Sequence, residues 1–83
     1  MKNNLWKRNV ITIATPTEKE TYTCITKVYD LGSEHGIDGG RISKLEIRNS
    51  AGIIVVNYDR DWDREPKTVL EQVALQTIKN IYS

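Results

Sequence analysis

Phenylalanine is absent from this chain, and cysteine, histidine and methionine occur once each. A lone cysteine, Cys24, cannot close an intramolecular disulfide, which removes the stapled secreted scaffolds and points to an intracellular, cytoplasmic chain. A lone histidine with no second imidazole or thiol beside it leaves zinc without its usual ligand set. Neither sign of charge is in excess: 12 Lys and Arg stand against 11 Asp and Glu, so no global field attracts nucleic acid or an anionic membrane. Long apolar runs are missing too. Val10 to Ala14 is interrupted by Thr12 and stopped by Pro16, too short for a signal-peptide core or a membrane span, although Lys2, Lys7 and Arg8 precede it.

What is present is the pattern of one small domain, 1–83, with a modest core. Residues 1–5 have no packing role that their types assign, and are expected to be disordered or loosely attached. The β-branched residues of Lys7 to Thr15 predict a first strand, and Tyr22 to Asp30 predicts a second whose two faces are equally mixed. Ser43 to Arg48 alternates cleanly, with Leu45 and Ile47 against Lys44, Glu46 and Arg48. Asn49-Ser50-Ala51-Gly52 then supplies a hairpin turn, and Ile53 to Tyr58 returns as a strand apolar on both faces. Asp59 to Glu65 is charged and reads as irregular. From there the period becomes that of an amphipathic helix over about 67–82, with either Thr68 and Glu71 as a capping box or Pro66 at the first position. Val69, Leu70, Val73, Ala74, Thr77, Ile78, Ile81 and Tyr82 fall on its apolar stripe, and Leu75 lies off it. The fold class is α+β: a four-stranded antiparallel sheet, β-β-β-β-α, with one C-terminal amphipathic helix packed on one face. The surplus apolar side chains of Ile53 to Tyr58 require a cover on the other face, by a partner, a second copy or the long loop.

That loop, Leu31 to Lys44, holds four of the five glycines and the histidine. A segment of this length in a small domain is the natural place for function. It is not a phosphate loop of the usual kind, because a strand and not a helix follows the glycines. Ser33, His35 and Asp38 are the residue types of a hydrolytic triad, but one loop offers neither convergence from separate elements nor an oxyanion hole, so no catalytic role is expected. Asp59, Asp61, Asp63 and Glu65 imitate the opening of a calcium loop until Arg64 and Leu70 occupy positions that need Gly and Glu; no metal or other cofactor is expected. The same segment reads better as an ion-pair network anchored by Trp62. Trp6, Tyr29, Tyr58 and Trp62 can stack on bases, but Arg41, Lys44 and Arg48 are a thin groove with Glu46 among them, which makes nucleic acid an improbable partner.

Two runs, Gly36-Ile37-Asp38-Gly39-Gly40-Arg41-Ile42-Ser43-Lys44-Leu45 and Asn57-Tyr58-Asp59-Arg60-Asp61-Trp62-Asp63, resemble the motifs of a small uncharacterised family of phages, prophages and mobile elements of Firmicutes. The likeness spans Tyr29 to Tyr82. It implies glycine between Arg60 and Trp62, where this chain has Asp61, and it brings a genomic setting without an activity. In that setting the expectation is a non-enzymatic interaction protein that binds a host protein or protein complex, such as a counter-defence inhibitor of the anti-CRISPR kind. Its contact residues are expected to be Ser33, Glu34, His35, Asp38, Arg41, Lys44, Arg60 and Trp62, with the Asn57 to Asp63 segment lying beside the free loop Leu31 to Gly40. A small-ligand or nucleotide-binding module that uses the glycine-rich loop with Arg41, Lys44 and Tyr58 is the alternative. A homodimer paired through the uncovered sheet face is the third reading.

Overall fold

Five strands lie side by side in chain order in a computed structural model that describes residues 5–83: β1 (Trp6–Ala14), β2 (Lys19–Val28), β3 (Ile42–Arg48), β4 (Ile54–Asp59) and β5 (Trp62–Arg64). Every neighbouring pair is antiparallel, and one helix, α1 (Val69–Ile81), follows. The α+β class and the single C-terminal helix agree with the sequence pattern, but the sheet has five strands and not four. The added strand is the three-residue segment Trp62–Arg64, paired with Asn57 and Tyr58. So short and charged a segment carries no alternation to read. Backbone pairing and the contact of the Trp62 ring with Tyr58, edge to face with centroids 5.0 Å apart, place it.

Tyr22, Cys24, Thr26 and Val28 of β2 take the covered face, which settles the orientation that the mixed strand left open. They pack with Leu45 and Ile47 of β3 and Val56 and Tyr58 of β4 beneath Leu70, Ala74 and Ile78 of α1. Thr68 caps that helix: its Oγ1 accepts from the Glu71 amide at 3.1 Å while the Glu71 carboxylate accepts from the Thr68 amide at 3.3 Å, so the capping box sets the start and not Pro66. The helix is turned relative to the predicted stripe. Val69, Val73 and Ile81 of that stripe are exposed and the off-stripe Leu75 packs against the core, while Tyr82 of the stripe packs as expected, its hydroxyl donating to Asn9 Oδ1 at 2.7 Å.

Each of the three inner registers slips by one residue, leaving Ser43, Val55 and Asp63 as the extra residues of bulges. The bulge at Val55 resolves the apolar surplus of β4: Val55 and Val56 are both buried, and Ile53 lies exposed outside the strand. The second face is therefore mostly polar. One row crosses all five strands as Arg8, Ile25, Glu46, Asn57 and Arg64, and the next runs Trp6, Lys27, Lys44, Asp59. The expected disorder of residues 1–5 falls on residues 1–4, outside those described, and on Leu5, whose carbonyl accepts from the Val28 amide at 2.9 Å. Among the described residues no helix is long and apolar enough to cross a membrane.

Candidate functional site

The glycine loop does not hang free between β2 and β3. Ile37 enters the core from a single 3-10 turn, Ile37–Gly39, and the two limbs of the loop close on each other. A Cβ on Gly36 would sit 1.9 Å from the Gly40 carbonyl oxygen, so this glycine is required by close backbone approach. Gly39, at φ +71°, is the one loop glycine that needs the left-handed region. Ser33 donates its amide to the Gly40 carbonyl at 3.2 Å, and the Tyr58 hydroxyl donates to the His35 carbonyl at 2.9 Å. Desolvation by burial, followed by the charges of Asp61 and Asp38, pushes the Tyr58 hydroxyl above its ordinary pKa and keeps it a donor.

Some expected contact residues make contacts within the fold. Arg41 donates from Nε to the Tyr29 carbonyl at 2.8 Å and from its guanidinium to the Ser83 carbonyl at 3.1 Å, tying the loop to the C-terminal end of the chain. Asp38 forms an ion pair with Lys79 of α1. Trp62 packs on Tyr58 and is half-buried. Glu34 stays exposed, with its carboxylate 3.6 Å from His35 Nε2. The ion-pair network expected over Asp59 to Glu65 is replaced by the β4–β5 hairpin; the one ion pair of that segment is Asp59 with Lys44, at 3.5 Å.

The others converge. Ser33, His35, Lys44 and Arg60 line one cavity of about 680 Å³ between the loop and the open sheet face. This partly matches the expectation that the β4 end lies beside the loop: Arg60 and His35 meet there, while Arg41 and Trp62 stay out of the lining. Lys27, Tyr29, Asp30 and Ser43 complete the polar lining. Sequence reasoning missed these. Lys27 and Tyr29 were legible from strand alternation once the open face was known, but Ser43 enters through a bulge, which leaves no mark in composition or period.

Arg60 occupies the rim in a strained conformation, φ +62°, held by its amide donating to the Ser43 carbonyl at 3.0 Å. The left-handed position of this turn is Arg60 and not Asp61. Its guanidinium forms no ion pair among the described residues. Lys27 Nζ lies 5.4 Å from the Tyr29 ring centroid and 5.8 Å from that of Trp6. Ser43, 6% exposed, has an Oγ without a hydrogen-bond partner. Cys24 lies away from this lining, buried, its thiol pushed up to about 11 by desolvation, which makes it an inert core residue. Among the described residues, no group of three His, Cys, Asp or Glu side chains is placed to hold a metal ion.

A family model described as a domain of unknown function, DUF7678, matches residues 5–83. The chain belongs to that family. The match agrees with the expectation of an uncharacterised family and covers both the loop and the hairpin that meet at the cavity. No curated protein and no solved structure matches the chain.

Proposed function

We propose that this chain is a non-enzymatic interaction module of phage or mobile-element type that acts in the host cytoplasm by docking on a host protein complex, as a counter-defence inhibitor does. One observation carries the reading: the chain is nearly neutral, but its charge is segregated. The open sheet face carries Arg8, Lys27, Lys44, Arg48 and Arg64 against only Glu46 and Asp59, and both of those carboxylates are already paired, with Arg48 and Lys44. Arg8 and Arg64 stand at the two edges of the row with no ion pair among the described residues. Such a face complements an acidic partner surface and steers its approach. The family resemblance supplies the biological setting.

The test is affinity capture from host lysate with the wild-type chain and with the Arg8→Glu/Arg64→Glu double variant. A defined protein complex is expected, released by salt and lost in the double variant while its circular dichroism stays unchanged. Capture of the same proteins by both chains would count against the reading. A purified chain that sediments as a dimer through this face would replace it with the self-pairing reading.

A further inference from the structure

The cavity at the loop end is a separate feature from the flat face, and its lining is sorted. Leu5, Tyr29 and Leu31 give it an apolar side, and Lys27, Lys44 and Arg60 give it a cationic side. Leu31, 81% exposed, belongs to that apolar side. Asp30 is the single carboxylate of the lining, so the cavity holds three cations against one anion. The Lys44 pair with Asp59 is solvent-exposed and competes weakly for that charge. A volume of about 680 Å³ lies in the range of small-molecule sites, which are largely apolar with a few placed polar groups.

Two features bear on what the cavity holds. A buried hydroxyl without a partner is costly, and the described residues hold two, Thr26 Oγ1 and Ser43 Oγ; of these, Ser43 is a residue of the cavity lining. The tight β4–β5 turn sets Arg60 at φ +62°, where glycine would be unstrained, and its guanidinium makes no ion pair among the described residues. Both groups find a partner if an anionic ligand completes the site. The guanidinium and ammonium groups bind phosphoryl oxygens, and the Ser43 hydroxyl donates to the same group. An aromatic ring lies on the Tyr29 and Leu31 side. Asp30 accepts from a sugar hydroxyl or an exocyclic amine.

We infer that this cavity is a binding site for a free nucleoside phosphate, formed by the glycine loop and the β4–β5 turn. The site is formed on two elements that the fold already fixes, through Tyr58 to the His35 carbonyl and Arg60 to the Ser43 carbonyl.

The experiment is a thermal-shift and calorimetric titration of the full chain with AMP, ATP, GMP, GTP, inorganic phosphate and an eight-nucleotide single strand. At least one nucleotide is expected to raise the Tm saturably, by mass action, and more than inorganic phosphate does. Arg60→Gly removes the guanidinium and the backbone strain together, so the apo protein is expected to keep or raise its Tm while nucleotide affinity falls at least tenfold. Ser43→Ala deletes the orphaned hydroxyl, and is expected to leave the apo Tm equal or higher with affinity reduced several-fold. The inference is overturned if no nucleotide shifts the wild type, or if Arg60→Gly binds as tightly as wild type. It is also overturned if the single strand binds and free nucleotides do not, which would assign the surface to nucleic acid.

Discussion

Among the described residues Asp38 and Arg60 are the two non-glycine residues at positive φ, at 55° and 62°, and they differ in what holds them. Asp38 sits in the 3-10 turn that sends Ile37 into the core, and its carboxylate pairs with Lys79 on the helix. Its strain is answered inside the fold by burial next door and an ion pair across to α1. Arg60 sits at the tip of the β4–β5 turn, its amide donating to the Ser43 carbonyl, and it is one of the residues that line the cavity. The first conformation is required by packing. The second is set by the tight turn between β4 and β5, and its side chain makes no ion pair among the described residues.

The largest effect is expected from attacking the packed side of that comparison. Gly36→Ala forces a Cβ to within 1.9 Å of the Gly40 oxygen and should cost about 3 kcal/mol through overpacking and loop distortion, read as a lower urea midpoint.

Alkaline pH should come next. Burial raises the thiol of Cys24 from 9.0 to about 11 and raises the hydroxyls of Tyr22 and Tyr58 above 10.0. Raised folded pKa values stabilise the neutral forms, so this contribution is complete below the unfolded values. It is lost as pH rises through the folded ones. Stability should be level through neutral pH with respect to these groups and fall from about pH 9 upward. A Tm that holds constant to pH 11 would contradict the burial of Cys24 and the two tyrosines.

Tyr58→Phe follows. It removes the one hydrogen bond between the β4 side chain and the loop, at a cost of about 1 kcal/mol, and should increase amide exchange at residues 35 to 37 without disturbing α1.

The smallest effect is the sharpest for the comparison: placing glycine at both left-handed positions. Arg60→Gly should gain roughly 0.5 kcal/mol by relieving strain, net of the greater freedom of the unfolded chain. Asp38→Gly relieves similar strain but gives up the Lys79 pair, and should be neutral or slightly destabilising. Equal responses would remove the distinction between the two.

The hairpin shows how much of this was legible. Asn49-Ser50-Ala51-Gly52 announced its turn, and the structure has Gly52 at φ +80° with Asn49 Oδ1 accepting from the amides of Ala51 and Ile53, each at 3.0 Å. Turn chemistry is local, so four residues suffice to specify it. The helix start was legible only to within two choices, Thr68 with Glu71 or Pro66 at the first position, and the structure takes the capping box at Thr68. The cavity was half legible. The loop and Arg60 stood out by composition and motif, but the separation of Arg41 and Trp62 from His35 and Arg60 depends on which backbone carbonyl and which ring each side chain meets. The rotation of α1, which exposes Val69 and Val73 and packs Leu75, had no sequence mark: a wide apolar arc fixes that a helix is buried, not the angle at which it settles.

By itself the sequence determined the α+β class, the hairpin turn and the absence of a disulfide framework, because each depends on residue type within a few positions. Tertiary structure alone decided the fifth strand, the three bulges and the cavity that joins Lys27, Ser43 and Arg60. Those arise from register between distant strands, where one slipped residue redirects a side chain from the ladder to the site.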